Sequence, residues 1–183
     1  MQRIEQVDPE SATGKTAELL SAVSSQMGII PNILKTMAQS PATLGGYLGL
    51  SSGLNGGVLS AQLREQIALV VAGTNGCDYC ASVHTAVGSQ TGLSAQELAS
   101  NLRGKSADTK TTAALAFAKA IVTKKGFVCD GAMAEIRHAG FSEEEIVEIV
   151  GNTVMNIFTN YFNHIAGTEI DFPVVNTREA VAS

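Results

Sequence analysis

The sequence predicts an all-α fold, a single bundle of about eight helices. Apolar residues recur at helical spacing along most of the chain. No segment shows the apolar-polar alternation between turns that a half-buried strand requires. Caps and breakers divide the chain at short intervals without a low-complexity linker, so we expect one domain over residues 1–183.

The N-terminal part of the bundle, residues 13–54, is expected to hold three helices. The first covers about residues 13–27, and Pro31 opens a short second helix that ends before Ser40. The third is unusually rich in glycine, which weakens a helix but permits the close approach of another backbone. Its glycines are Gly45, Gly46, Gly49 and Gly53.

Four more helices are predicted in the core region, residues 56–125. A turn at Asn75-Gly76 separates the first two, and the second begins at a Cys-x-x-Cys segment. The other N-termini carry side chains that accept hydrogen bonds from free backbone N–H groups. These caps are Ser60, Ser94 with Glu97 as a capping box, and Asp108.

Two helices are predicted in the C-terminal region, residues 130–164. Asp130 caps the first, and Ser142 with Glu145 forms a capping box at the start of the longest helix of the chain. Regular structure is expected to end at residues 171–173, where Asp-Phe-Pro follows.

The composition excludes two classes of partner. With a net charge of −5 and no basic cluster denser than Lys124-Lys125, the chain lacks the positive face that nucleic acid requires. The longest apolar run, residues 67–73, is too short to cross a membrane, so we expect a cytoplasmic protein. Only 16% of residues are charged and the mean hydropathy is +0.16, which suggests that self-association covers apolar surface.

Three cysteines constrain the redox chemistry. Structural disulfides would favour an even number in a small secreted chain, so the close pair Cys77 and Cys80 is interpreted as reactive. Cys129 stands alone, and we expect a small buried residue there.

The cysteine pair is followed by His84, and Glu65 precedes it by twelve positions. If the helices on either side of the Asn75-Gly76 turn are antiparallel, Glu65 and His84 lie at nearly the same height, roughly 12–14 Å from the turn. Cys80 lies one turn from His84 on the same helix face. A carboxylate, an imidazole and two sulfurs are therefore expected in one group.

Each member of the group has a chemical and a structural interpretation. A helix N-terminus favours thiolate, so Cys80 is the candidate nucleophile and Cys77, expected nearer the mouth, the candidate resolving thiol. Alternatively both are buried structural thiols. His84 could be an ordinary core histidine. Glu65 could be a solvated residue, but its apolar neighbours favour a buried proton acceptor for His84 or a water.

This spacing of Glu65, Cys77, Cys80 and His84 resembles the signature of the AhpD-like alkylhydroperoxidases within the carboxymuconolactone decarboxylase superfamily. Residues 28–32 and 160–164 also resemble the longer, peroxidase-related members.

The resemblance implies an all-α bundle that assembles as a trimer or hexamer. Cys80 would attack a hydroperoxide, Cys77 would condense with the sulfenic acid, and Glu65 and His84 would relay protons. A lipoyl-bearing or thioredoxin-like dithiol would reopen the disulfide, and no cofactor is needed. Some members carry a histidine directly before the second cysteine, where this chain has Tyr79, a candidate supporting residue.

Three other functions remain open. A decarboxylase or isomerase of the same superfamily would not need the cysteine pair. A metal-binding or redox-sensing module would use the same four residues as ligands or sensors. A structural oligomer with an incidental disulfide would use none of them.

Overall fold

The computed structural model describes residues 2–182, which form ten helices and no strand. The helices are α1 (Gly14–Met27), α2 (Asn32–Met37), α3 (Pro41–Asn55), α4 (Ala61–Asn75), α5 (Asp78–Gln90), α6 (Ala95–Leu102), α7 (Thr109–Thr123), α8 (Asp130–His138), α9 (Glu143–Ala166) and α10 (Thr177–Ala182). The predicted all-α fold is confirmed.

Helix α4 is the central element and packs against α5, α6, α7 and α9. Its sequence is apolar on nearly all sides over residues 67–72, each at most 1% exposed. Gly73 continues this segment and lies so close to the carbonyl of Leu102 at the end of α6 that a Cβ atom there would clash. The core helix can therefore approach its neighbour only because residue 73 lacks a side chain.

Two apolar clusters lie on either side of α4. The first joins α1, α2 and α3 to α5 and contains both close cysteines. The second joins α4 to α7, α8 and the start of α9 and consists of aliphatic side chains with Phe117 and Phe141. Burial of these side chains is the main stabilising contribution to such a bundle.

The predicted caps are mostly found, with two corrections. Ser60, Asp108 and Ser142 accept the expected backbone hydrogen bonds, and Ser142 with Glu145 forms the full capping box. Ser94 caps α6, but the Glu97 carboxylate binds side chains of other elements instead of closing a box. Asp130 is the first residue of α8 rather than its cap, because Cys129 occupies the cap position.

Two further expectations are wrong. Cys129 is exposed, because the loop before α8 carries it to the surface. Within residues 2–182 no other backbone uses the space beside the α3 glycines: a Cβ atom added at Gly45 would meet only a Leu19 methyl at 3.9 Å. The second correction lies at the C-terminus. Regular structure continues past residue 173, since α10 follows.

None of the helices in residues 2–182 is long and apolar enough to cross a membrane.

Candidate active site

The two close cysteines lie at the N-terminus of α5. Gly76 adopts a left-handed conformation with φ 69° and ends α4, and Cys77 follows as the N-cap of α5. The Cys77 sulfur accepts a hydrogen bond from the backbone N–H of Cys80 at 3.3 Å. The two sulfurs are free thiols 2.6 Å apart, so only a small movement separates them from a disulfide.

Both cysteines are buried, but only one opens onto a cavity. Cys77 is 1% and Cys80 3% exposed, and Cys80 lines a cavity of about 530 Å³ that Cys77 does not reach. The expectation that Cys77 lies nearer the mouth is therefore wrong.

The chain after α9 folds back over the first turns of α5, next to Cys77. Asp78 accepts hydrogen bonds from the backbone N–H and hydroxyl of Thr177, at 2.9 and 2.6 Å. The hydroxyl of Ser82 accepts one from the backbone N–H of Val175 at 2.9 Å. We call residues 171–182 the C-terminal strap.

The sulfur of Cys80 is surrounded by hydrogen-bond donors. Asn163 of α9 donates through Nδ2 at 3.2 Å. Burial alone would raise the pKa of the Cys80 thiol, but the hydrogen bonds outweigh burial and hold that pKa below its usual value. Cys77 and Asn163 make the two side-chain hydrogen bonds to this sulfur, and Asn160 and Thr159 lower its pKa by smaller amounts.

The pKa of the Cys77 thiol is shifted in the opposite direction. The hydrogen bond it makes to Cys80, together with burial and the negative charge of the Cys80 sulfur, raises the pKa of the Cys77 thiol. Of the two thiols, Cys80 therefore loses its proton more readily, and Cys77 donates a hydrogen bond to its sulfur.

His84 and Glu65 meet as the helix geometry predicts. His84 Nδ1 lies 2.8 Å from Oε2 of Glu65, and the two side chains are 23% and 17% exposed. Burial alone would lower the pKa of His84, but the charge and hydrogen bond of Glu65 raise it above its usual value, with a smaller contribution from Asn156. His84 lines the same cavity as Cys80, so its proton can reach a molecule bound against the sulfur.

Tyr79 has a structural position beside the cavity. Its hydroxyl donates to Oδ1 of Asp171 at 2.8 Å and accepts from the backbone N–H of Ile33 at 3.2 Å. The other oxygen of Asp171 accepts from the backbone N–H of Asn32 at 2.8 Å. Tyr79 therefore ties α5 to the start of α2 and to the C-terminal strap, and burial raises the pKa of its phenol.

The cavity is lined mainly by apolar side chains, and no Asp, Glu, Lys or Arg side chain lines it. Tyr47 and Tyr79 also line the cavity, and burial raises the pKa of Tyr47 to about 12. Most of the apolar lining comes from Leu19, Ala22, Val23, Met27, Pro31, Ile33, Leu34, Leu48, Val83 and Met155.

The sequence reasoning missed the contribution of α9. Four polar residues of this helix are at most 7% exposed and lie around Cys80 and His84. The available signal was a row of polar residues at helical spacing inside an otherwise apolar helix. These residues are Asn156, Thr159, Asn160 and Asn163.

A metal site is not found in residues 2–182, where no three His, Cys, Asp or Glu side chains are grouped so that they could hold an ion.

The model of the carboxymuconolactone decarboxylase family matches residues 41–123, the segment from α3 to α7 that carries both close cysteines, Glu65 and His84. None of the curated proteins matches the chain.

Several solved structures are similar over nearly the whole chain. An uncharacterized peroxidase-related protein from Silicibacter sp. TM1040 is 23% identical with a TM-score of 0.78, covering 92% of this chain and 94% of its own. One from Ralstonia eutropha JMP134, described as an alkylhydroperoxidase AhpD core, is 19% identical with a TM-score of 0.84, covering 93% and 92%.

A third similar structure is a cysteine-to-alanine variant of the debrominase Bmp8 in complex with 2,3,4-tribromopyrrole. It is 20% identical with a TM-score of 0.80, covering 100% of this chain and 97% of its own. At these identities the likeness shows the fold alone.

Proposed function

We propose that this chain, whose residues 41–123 match the carboxymuconolactone decarboxylase family model, is a thiol-dependent peroxidase that reduces uncharged organic hydroperoxides. The observation that carries the proposal is the position of Cys80. Its sulfur opens onto an apolar cavity, lies 2.6 Å from a second thiol and shares the cavity with the His84–Glu65 pair.

The first half of the cycle needs only these residues. The Cys80 thiolate attacks the outer peroxide oxygen, an S–O bond forms and the O–O bond breaks. The alkoxide leaves with a proton from His84, which Glu65 keeps protonated and oriented. Cys77 then attacks the Cys80 sulfenic acid, releasing water and closing the disulfide.

The disulfide must be reopened by an external dithiol. Only Cys80 of the pair opens onto the cavity, while the C-terminal strap covers the start of α5. Access therefore favours attack on the Cys80 sulfur by a slender dithiol such as a lipoyl arm, rather than by the surface of a thioredoxin-like protein. The recycling step requires a reducing compartment, and on that ground we propose the cytoplasm.

Self-association belongs to the same proposal. The outward side of α9 carries apolar side chains over residues 147–165, a length of roughly 27 Å. Such a continuous apolar stripe on a surface helix favours burial against another helix, and we propose a second copy of this chain as its occupant. The exposed members are Val147, Val150, Val154, Phe158, Tyr161 and Ile165.

The peroxidase proposal is tested by stopped-flow reaction of the reduced protein with cumene hydroperoxide. We expect Cys80→Ser to abolish the fast thiol-oxidation phase, and Cys77→Ser to keep that phase but lose turnover with dihydrolipoamide. His84→Ala should slow the phase by roughly 10²–10⁴-fold, the usual contribution of an acid–base group. An unchanged fast phase in the Cys80→Ser protein would exclude Cys80 as the nucleophile.

Reductive removal of a halogen from a small aromatic ring is a second candidate. Its support is the whole-chain likeness to a debrominase together with the apolar cavity at Cys80. In that reaction the carbon–halogen bond breaks, the carbon gains a proton, halide leaves and the two thiols become a disulfide. The test is bromide release from 2,3,4-tribromopyrrole. One bromide released per disulfide formed, together with no consumption of hydroperoxide by the same protein, would favour this reaction over peroxide reduction.

A decarboxylase of the same superfamily would not use the cysteine pair. Full turnover of a lactone substrate by the Cys80→Ser protein would therefore identify such an enzyme.

A further inference from the structure

Two asparagines of α9 lie against the Cys80 sulfur, three residues apart on the helix. Asn163 donates to that sulfur through Nδ2 at 3.2 Å and is 5% exposed. Asn160 is fully buried, and its Oδ1 accepts a hydrogen bond from Nδ2 of Asn75, the last residue of α4, at 3.0 Å.

The bond from Asn75 occupies the oxygen end of the Asn160 amide and leaves its nitrogen end free. With Oδ1 engaged, Nδ2 of Asn160 is buried and has no hydrogen-bond partner of ordinary geometry in the described part of the chain. A buried donor in that condition costs free energy, so its retention requires an explanation. The Cys80 sulfur lies near this amide, and Asn160 contributes to lowering the pKa of Cys80.

A thiolate at Cys80 offsets the free-energy cost of the buried, unpaired Asn160 N–H group, whereas a neutral thiol does not. A negatively charged sulfur is a stronger acceptor than a thiol and can accept from several donors at once. Reversing the Asn160 and Asn163 amides would turn carbonyl oxygens toward the sulfur, which would disfavour negative charge there. The orientation that Asn75 imposes on Asn160 is the one that suits an anion.

We propose that Asn163 and Asn160, with Asn75 as the positioning residue behind them, form an anion site that holds negative charge on the Cys80 sulfur and so selects Cys80 over Cys77 as the nucleophile. For the peroxidase cycle this inference rests on the proposed function. In that cycle the anion site stabilises the Cys80 thiolate before it attacks the peroxide. It stabilises the same thiolate again when a dithiol bound to Cys80 closes its own disulfide and Cys80 leaves.

The test is the pH dependence of Cys80 alkylation by iodoacetamide, mapped by mass spectrometry in the full-length protein. We expect Asn163→Leu to raise the apparent pKa of Cys80 by about 1–2 units, the size of one hydrogen bond to a charged group. Alkylation near neutral pH should slow by about tenfold or more. Asn160→Leu should shift the pKa in the same direction by less.

Asn152→Leu is the matched control. Asn152 lies on the same buried side of α9, but its amide binds the backbone oxygen of Glu148 and it does not line the cavity. We expect no shift in the Cys80 profile there, although folding stability falls. If Asn163→Leu does not fold, Asn163→Asp keeps the shape while removing both donors, and it must raise the same pKa.

Alkylation involves no peroxide, so the inference and the proposed function can fail separately. A raised Cys80 pKa in the Asn163 variants, together with no peroxide consumption by the unmodified protein, supports the anion site and removes the peroxidase. Unchanged alkylation profiles in both the Asn163 and the Asn160 variants would overturn the anion site, whatever the protein consumes.

Discussion

The two halves of α9 are buried to the same degree but have different interiors. In the first half, Ile146 and Ile149 are 3% and 0% exposed and pack into the aliphatic cluster with α4 and α7. In the second half, Asn156, Asn160 and Asn163 are equally buried and lie beside Cys80 and His84. The first turns of α9 therefore enter an aliphatic core, and its last turns form a polar wall beside Cys80. Between them, Asn152 and Thr153 are also buried but donate to backbone oxygens of the helix itself.

We therefore attribute folding stability to the first half of α9 and the reactivity of Cys80 to the second half. Aliphatic side chains contribute through the water they exclude, whereas buried amides contribute little net stability and are costly when unpaired. The anion site proposed at Cys80 accounts for the buried amides of Asn160 and Asn163. Changes in the first half should therefore affect unfolding, and changes around the second half should affect reactivity.

The largest effect on stability is expected at Ile149. Replacement by Ala removes buried aliphatic volume and should lower the free energy of unfolding by about 2–5 kcal/mol, while Ile149→Val costs about 0.5–1.5 kcal/mol. Chemical denaturation measures both. The alkylation pKa of Cys80 in the folded protein should stay unchanged, and a shift comparable to that of Asn163→Leu would contradict the separation between the two halves.

The next effect concerns the Glu65–His84 pair. Glu65 raises the pKa of His84, so His84 stays protonated to higher pH, and Glu65→Gln should lower that pKa. The alkaline limb of the rate of Cys80 oxidation should then move to lower pH, and the maximal rate should fall by roughly 10²-fold or more. Stopped-flow rates from pH 5 to 10 provide the profile.

Glu97→Gln is the control for this prediction. Its carboxylate binds Gln66, Asn101 and Ser106 and does not contact His84. The alkaline limb should stay in place for Glu97→Gln. An unmoved limb in Glu65→Gln would show that another group sets it.

A third effect concerns the outward side of α9. Val154 is 51% exposed, and Val154→Glu places a charge in the apolar stripe. If a second copy covers the stripe, the dissociation constant should rise by roughly 30-fold or more, the cost of losing a well-buried contact. Ala116→Glu, on the exposed side of α7, adds the same charge elsewhere and should not change the assembly. Sedimentation equilibrium that gives a monomer for the unmodified protein would contradict the proposed contact.

The smallest effect is expected at the C-terminal strap. Asp78→Ala removes the acceptor for both hydrogen bonds from Thr177, which should favour opening of the strap by about 1–2 kcal/mol. Alkylation of Cys77 should then become roughly 5- to 30-fold faster. If the Cys77 rate stays the same, something other than the strap shields this thiol.

The sequence predicted those features that short-range chemistry determines. The turn at Asn75-Gly76 and the caps Ser60 and Ser142 depend on neighbouring residues, so their positions could be inferred locally. The contact between Glu65 and His84 followed from the same turn, because two helices joined by a tight connection leave little freedom in height.

The features that the sequence did not reveal depend on distant partners. Asn163 meets Cys80 across 83 positions, and Thr177 meets Asp78 across 99. Helix α10 is six residues long and would be marginal in isolation, so it forms where Asp78 binds its first N–H group. The same contact holds the strap over the start of α5, beside Cys77, and nothing in the local sequence around Cys77 predicts it.

Chemical trapping of sulfenic acid tests the central claim, that Cys80 is the nucleophile, most directly. The Cys77→Ser and Cys80→Ser proteins, each with Cys129→Ser to remove the exposed thiol, are treated with one equivalent of cumene hydroperoxide and dimedone and mapped by mass spectrometry. We expect a near-stoichiometric adduct on Cys80 in the first protein and none on Cys77 in the second. A stoichiometric adduct on Cys77 of the Cys80→Ser protein, with no adduct on Cys80 of the other, would contradict it.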